Sequence, residues 1–202
     1  DALSHAMEAI WSKYSNEDSR AYGQKAISLI LTNYKAYLSL ENKNDAKVQG
    51  KASSAEDPSQ SVLESIAEAA NLAGKAIAVT KTTAGHALSY KLGSIYQLPH
   101  GLATAMVNRA LYPFMCREKC RMIHPENLLF LAKCFLAETE EEGAKRYRGI
   151  LEDLEIIPSL SVKEGDLENL VAAVNPERLS NHPIALREED IRLLYKEILG
   201  VK

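Results

Sequence analysis

Apolar residues recur at spacings of three and four along most of this chain, and this helical period constrains its fold more than any other feature. One such stretch follows Asn16, and its repeating face comprises Tyr22, Ala26, Leu29, Ile30, Asn33, Tyr37 and Leu40. A second follows Asp57-Pro58-Ser59 and comprises Val62, Ile66, Ala69, Ala73, Ala76 and Ile77. The last comprises Ile191, Leu194, Tyr195 and Ile198. Because alternating strand patterns are almost absent, the sequence predicts an all-α fold.

Polar segments and prolines divide the helical pattern. Residues 42–58 are rich in Asn, Lys, Asp and Ser, which predicts a connecting loop. Five prolines, at positions 113, 125, 158, 176 and 183, predict that the second half consists of short helices. No repeat or low-complexity tract interrupts the chain, so we expect residues 1–202 to form one helical domain.

The composition excludes several classes of partner. The net charge is −3, which gives no reason to expect nucleic acid or an anionic membrane as a partner. No apolar run is long enough to cross a bilayer. Three cysteines, an odd number, fit a reducing compartment better than a disulfide framework, so we expect a cytoplasmic location.

Asp1 and His5 form the first candidate metal-binding pair. In a helix they lie one turn apart on the same face, so that the carboxylate and the imidazole can converge on one ion. An oxygen and a nitrogen ligand suit Fe(II), Zn(II) or a similar divalent cation. From the spacing alone, a surface pair is the more common outcome. Glu8 lies on the same side of this helix as His5, and it either orients a ligand or faces water.

His86 and His100 form the second candidate pair. Two of the five histidines of the chain thus fall within fifteen residues, both in uncharged surroundings. The pattern places His86 at the end of a helix and predicts that His100, between Pro99 and Gly101, opens the next one. The simpler alternative is a pair of partly buried histidines that are bonded to backbone carbonyls.

Two further patterns concern metals and nucleotides. Cys116, Cys120 and His124 share a spacing of four, but a fourth ligand is missing and basic residues surround them, which favours reduced thiols over a metal site. A glycine-rich turn after a strand is also missing, so this chain shows no means of holding a nucleotide.

The two histidine-containing segments together resemble the iron-containing alcohol dehydrogenase family. The resemblance lies in Asp-Ala-Leu-x-His-Ala-x-Glu at residues 1–8, His-Ala-x-Ser-Tyr at residues 86–90 and Pro-His-Gly at residues 99–101. It continues through residues 71–76 and 174–183. It implies the helical C-terminal domain of the dehydroquinate synthase-like fold, with Asp1, His5, His86 and His100 as metal ligands.

One segment of the sequence narrows the resemblance to a subgroup of the family, and two positions depart from the family pattern. Residues 81–90, Lys-Thr-Thr-Ala-Gly-His-Ala-Leu-Ser-Tyr, are most similar to members that reduce phosphonoacetaldehyde. Tyr90 stands where several members have a third histidine, and Leu102 replaces a histidine that is common in that subgroup. Tyr90 is the candidate catalytic side chain, as a hydrogen-bond donor near the substrate, and Thr83 and Ser89 are candidate neighbours of the ligands.

The resemblance implies hydride transfer between NAD(P)H and a small aldehyde, with Fe(II) or Zn(II) polarising the carbonyl. It also implies an N-terminal nucleotide-binding domain as the partner of this chain, and it leaves a homo-oligomer open. Because that domain is missing from this chain, we expect the 202 residues alone to be inactive. We also expect them to bind metal weakly or not at all, since the terminal helix turn at Asp1 frays and its α-ammonium group repels a cation.

Two alternative functions remain at this point. One is a carbon–oxygen lyase on the same scaffold, similar to the dehydroquinate synthases, whose first metal ligand is typically Glu. The other is a non-catalytic helical interaction module that retains the remnant of a metal site. An upstream glycine-rich α/β domain in the same gene would distinguish the dehydrogenase from the interaction module.

Overall fold

Helices account for all the regular secondary structure in the part of the chain that the structure describes, which confirms the all-α prediction. The structure is a computed structural model, and it describes the backbone of residues 1–44 and 58–201. These two ranges contain nine α-helices, two 3₁₀ turns and no strand. The α-helices are α1 (Ala2–Trp11), α2 (Glu17–Asn44), α3 (Pro58–Thr80), α4 (Ala84–Tyr96), α5 (His100–Arg117), α6 (Glu126–Cys134), α7 (Glu140–Asp153), α8 (Asp166–Ala172) and α9 (Glu188–Leu199), and the 3₁₀ turns are Lys119–Arg121 and Pro176–Leu179. None of the described helices is both long enough and apolar enough to cross a membrane.

The long helix α2 begins where the sequence predicted, after Asn16. The side chain of Asn16 accepts a hydrogen bond from the Ser19 amide at 3.0 Å, and Ser19 Oγ accepts one from the Asn16 amide at 2.9 Å. The predicted start of the loop at residue 42 is wrong, because α2 continues to Asn44. Residues such as Glu41 and Lys43 have good helix propensity, so polarity alone did not mark the end of the helix. The rest of the predicted loop, residues 45–57, lies outside the described residues.

Two predicted boundaries around α4 and α5 are also wrong. His86 lies in the first turn of α4 and not at the end of a helix, because α3 ends at Thr80 and Lys81 adopts a left-handed φ of 61°. Pro113 does not end α5, which continues to Arg117. Its neighbours Tyr112 and Phe114 are fully or almost fully buried, and their packing outweighs the hydrogen bond that a proline lacks.

Helix α1 lies at the centre of the fold and contacts α2, α3, α5 and α6. Met7, Ile10 and Trp11 have no exposed surface, so their side chains form part of the core. Because α1 is enclosed on several sides, a polar side chain on it, such as Glu8, is buried as well. The N-terminal end of α1 remains accessible, and Asp1 lies there beside the start of α5.

Hydrogen bonds from the C-terminal segment connect the start of α4 to the end of α1. Asn181 donates through Nδ2 to the Thr82 carbonyl at 3.2 Å, while its own carbonyl accepts from Ser12 Oγ at 3.2 Å. In α9, Tyr195 donates through its hydroxyl to the Leu88 carbonyl of α4 at 2.9 Å. These hydrogen bonds fix the first two turns of α4, where His86 lies, against the rest of the fold.

Candidate metal centre

Asp1 and His5 converge at the N-terminus of α1. Asp1 is the N-cap residue, and its carbonyl accepts the His5 amide at 3.0 Å, so the two side chains stand one turn apart. His5 Nε2 lies 3.6 Å from Asp1 Oδ2. The side chain of Asp1 makes no capping hydrogen bond, which leaves its carboxylate free to face His5 and the starts of the neighbouring helices.

His86 and His100 reach the same carboxylate from α4 and α5. Nε2 of His86 lies 3.5 Å from Asp1 Oδ1, and Nε2 of His100 lies 3.7 Å from it. The close approach of α5 depends on Gly101, because a Cβ atom there would lie 2.9 Å from the Asp1 nitrogen. Three imidazole Nε2 atoms from three helices therefore surround one carboxylate.

Three of the four predicted ligands form the tightest group. Asp1, His86 and His100 offer ligand atoms that all lie within 4.8 Å of one another. His5 lies beside this group and not within it, although its ring stacks on that of His86 with centroids 4.7 Å apart and planes at 13°. The structure therefore brings all four side chains into one cluster, with His5 at its edge.

The lowered pKa values of His5 and His100 suit metal binding, because only a neutral imidazole can be a ligand. Burial lowers the pKa of His5 to about 4, and repulsion from His86 adds to the effect. Burial also lowers the pKa of His100, again with a contribution from His86. His86 Nε2 is buried and has no hydrogen-bond partner among the described residues. Since buried polar atoms are normally satisfied, this nitrogen and the set of donors around it fit a bound cation.

Glu8 holds His86 from the opposite side of its ring. The Glu8 carboxylate is fully buried and lies 2.7 Å from His86 Nδ1. It also accepts hydrogen bonds from the amide and the hydroxyl of Thr83, at 2.6 and 2.8 Å. Burial alone would raise the pKa of Glu8, but the hydrogen bonds from His86 and Thr83 outweigh it and lower the pKa. An ionised Glu8 can only accept, so Nδ1 carries a proton, and Nε2 is the ring nitrogen on the Asp1 side that could bind a cation.

The close packing around Glu8 limits which residues can occupy the neighbouring positions in space. Trp11 Nε1 donates to Thr83 Oγ1 at 2.9 Å, and Asn108 Nδ2 lies 3.3 Å from Glu8 Oε1. A Cβ atom at Gly85 would lie 2.3 Å from Glu8 Oε1 and 2.1 Å from Asn108 Oδ1, so any larger residue would displace these two side chains. Glu8 was predicted either to orient a ligand or to face water, and the structure shows it in contact with the candidate ligand His86. No pattern in the sequence indicated a role for Asn108.

The remaining predicted site residues have different surroundings. Tyr90 is half-exposed, and its ring stacks on His100 with centroids 5.8 Å apart and planes at 24°. Ser89 is buried and donates to the His86 carbonyl at 2.9 Å, so its hydroxyl group bonds within α4. Arg178, which sequence reasoning missed, places its guanidinium 4.4 Å from the centre of the Tyr90 ring.

The cysteine pattern does not form a continuous helical face. Helix α5 ends at Arg117, Cys120 lies in the following 3₁₀ turn, and His124 has a left-handed φ of 61°. Burial raises the pKa of Cys116 to about 12, which keeps this thiol protonated. Cys116, Cys120 and His124 are therefore not brought together on one helix, as a site of this spacing would require.

Comparison with known proteins identifies the family of this chain. The sequence profile described as "Fe-containing alcohol dehydrogenase family, C-terminal" matches residues 1–199. A 1,3-propanediol dehydrogenase from Klebsiella pneumoniae is 25% identical over 98% of this chain and 49% of its own length.

Solved structures agree with the sequence match. An iron-containing alcohol dehydrogenase from Thermotoga maritima is 28% identical and superposes with a TM-score of 0.73, covering 100% of this chain and 48% of its own. The fold is also that of a sulfoacetaldehyde reductase from Bifidobacterium kashiwanohense, solved in complex with NAD+, with a TM-score of 0.78 at 20% identity over 100% of this chain and 49% of that one. This chain thus spans about half the length of the relatives that it matches. It belongs to the iron-containing alcohol dehydrogenase family and corresponds to the C-terminal, helical part of its members.

Proposed function

We propose that this chain is the metal-binding half of an NAD(P)-dependent alcohol dehydrogenase that interconverts a small aldehyde and its alcohol. Asp1, His5, His86 and His100 would hold the ion, which is Fe(II) in this proposal and Zn(II) in its nearest alternative. The observation that carries the proposal is the convergence of three imidazole Nε2 atoms on the Asp1 carboxylate. One of them, that of His86, is buried and has no hydrogen-bond partner in the part of the chain that the structure describes.

The side chains of this site would divide the work of catalysis. A bound divalent ion supplies Lewis acidity that polarises the substrate carbonyl. The three neutral imidazoles add no charge, and the single Asp1 carboxylate offsets only part of the charge of the cation. Glu8 fixes the direction of the His86 ring through Nδ1. Tyr90 covers one side of His100 and can donate a hydrogen bond to a substrate oxygen.

The nicotinamide cofactor would be held by a second domain. This chain has no glycine-rich phosphate-binding turn in its sequence. Its relatives are about twice as long, and one structural neighbour was solved with NAD+. We therefore propose an N-terminal nucleotide-binding domain as the partner, and we call the protein that joins it to this chain the two-domain enzyme.

The test of this function is NAD(P)H-dependent aldehyde reduction by the two-domain enzyme and by its His86→Ala variant. Lewis-acid stabilisation is worth several kcal/mol, so the variant should lose at least about a hundredfold in kcat/KM. His124→Ala, which removes an exposed histidine that is not part of the cluster, should retain the activity of the parent. If His86→Ala retains full activity, the ligand assignment is wrong. If the parent reduces no aldehyde, a non-catalytic helical module is the better description.

A further inference from the structure

The guanidinium group of Arg178 stacks on Tyr90, a neighbour of the candidate metal centre. Tyr90 lies between two groups: its ring stacks on His100 at 5.8 Å, and the Arg178 guanidinium lies 4.4 Å from its centroid. The sum of these two distances is an upper limit on the separation between the guanidinium and the centre of the His100 ring. A planar guanidinium held against an aromatic ring keeps its N–H groups free at its edge. The edge of the Arg178 guanidinium is therefore available to an anion on the side of Tyr90 that it covers.

A cavity opens beside this stack. It has a volume of about 450 Å³ and is lined by Tyr90 and Arg178 together with Lys91, Ser94 and Asn175. The four candidate ligands do not line it, and its link to the metal-binding cluster is Tyr90, whose ring stacks on His100. Its lining contains two cationic side chains and no acidic one. The volume suits a small organic molecule.

The positive charge of this cavity is not neutralised by neighbouring carboxylates. Among the described residues, no ion pair within 4.0 Å involves Lys91 or Arg178, whereas Arg121 and Arg192 both pair with acidic side chains. Asn175 Oδ1 accepts the Glu177 amide at 2.9 Å, and the Nδ2 group of the same side chain is a further hydrogen-bond donor in the lining. A cavity with two unpaired cations and additional donors favours an anion.

We infer that this cavity binds the anionic group of the substrate, and that the substrate is a short aldehyde or alcohol with a carboxylate, phosphonate or sulfonate at its far end. Arg178 provides bidentate contacts to that group, and Lys91 provides a second positive charge. The reacting carbon then lies at the Asp1–His100 end, and the short carbon chain passes along the Tyr90 ring. This inference rests on the proposed function and names the substrate class of the same site.

The experiment compares two aldehydes that have the same four-carbon chain and differ in one carboxylate, 4-oxobutanoate and butanal. The two-domain enzyme should reduce 4-oxobutanoate with the lower KM. Arg178→Gln should raise KM for 4-oxobutanoate about ten- to hundredfold, the usual effect of losing a hydrogen bond to a charged group. It should change kcat little and leave the kinetics of butanal within about twofold. Arg178→Lys, which keeps the charge but loses the planar fork, should have an intermediate effect.

The control variant is Arg148→Gln, which removes an exposed arginine from a different cavity and should affect neither aldehyde. Equal kinetics for the two aldehydes in the parent, or an equal loss for both in Arg178→Gln, would overturn the anion pocket while the dehydrogenase function stands. If neither aldehyde is reduced, the proposed function fails, and calorimetric titration of the protein with 4-oxobutanoate decides the pocket separately. Binding that Arg178→Gln abolishes supports the pocket, and the absence of binding overturns it.

Discussion

At the scale of single residues, the main feature is the fully buried carboxylate of Glu8. A fully buried carboxylate is expensive unless it is hydrogen-bonded, and Glu8 accepts from Thr83 twice and faces Nδ1 of His86. The arrangement fits a carboxylate that orients a ligand, because a histidine that binds a cation through Nε2 usually donates Nδ1–H to such a group.

Replacing Glu8 by Gln tests this arrangement. The amide retains the shape of the carboxylate but turns an N–H group toward one of its present donors, so either Thr83 or His86 loses its acceptor. We expect the affinity of the two-domain enzyme for Zn(II) to fall about ten- to hundredfold, measured by competition with a chelator. Glu152→Gln, on the exposed face of α7, is the control and should bind as the parent does. Unchanged affinity in Glu8→Gln would mean that Glu8 does not position His86.

The burial of His182 leads to a prediction of how the free energy of unfolding depends on pH. It is almost completely buried, neither of its ring nitrogens has a partner among the described residues, and burial lowers its pKa to about 3. Below pH 6.5 the unfolded chain binds a proton at this residue that the folded chain does not, so the free energy of unfolding falls as the pH falls toward 3. This loss amounts to at most about 1.4 kcal/mol per pH unit.

Substitution isolates the contribution of His182 from that of other groups. In His182→Asn the free energy of unfolding should fall less steeply between pH 6.5 and pH 4 than in the parent, as measured by urea denaturation. His124→Asn, at an exposed histidine whose left-handed backbone suits asparagine, should follow the parent curve. Parallel curves for the parent and His182→Asn would contradict the assignment of a strongly lowered pKa to His182.

At the scale of secondary structure, the first turn of α4 is fixed by a glycine. A Cβ atom at Gly85 would lie within 2.3 Å of Glu8 Oε1, whereas one at Gly149 in α7 would have no atom within 4 Å. Gly85→Ala should therefore destabilise the fold by about 1–3 kcal/mol, because the Glu8 and Asn108 side chains have to move. Gly149→Ala should be neutral or stabilise the fold by up to about 1 kcal/mol. Thermal unfolding of the two variants provides the comparison, and equal melting temperatures would contradict the packing described for α4.

The elements also show what could be predicted from the sequence. Helices α2, α3 and α9 follow from their apolar periodicity, and the starts of α2 and α5 follow from Asn16 and from the proline before His100. The predictions for Pro113 and for residues 42–44 are wrong, because each applied a local rule. Packing decides the outcome at Pro113, and helix propensity decides it at residues 42–44. The boundary before α4 was missed because Lys81 ends α3 through its backbone conformation and not through a glycine or a proline.

At the scale of the whole molecule, the candidate metal centre exists only because three distant segments meet. Asp1 and His5 belong to α1, His86 to α4 and His100 to α5, and no spacing in the sequence relates the first pair to the second. The family resemblance joined the two pairs, whereas the residue patterns alone left each pair closer to an ordinary structural role. The contacts of Glu8 and the stacking of Arg178 on Tyr90 involve residues 75 or more positions apart, so local patterns could not predict them.

The most direct test of this account is the metal content of the two-domain enzyme. Elemental analysis after preparation with Fe(II) or Zn(II) should find about one ion per chain, as expected for a single site. The His86→Ala variant, which removes the buried Nε2 atom, should retain much less than one ion per chain while its circular dichroism shows an intact helical fold. A parent protein without metal, or a His86→Ala variant that still holds one ion per chain, would contradict the proposal that this cluster is the metal site.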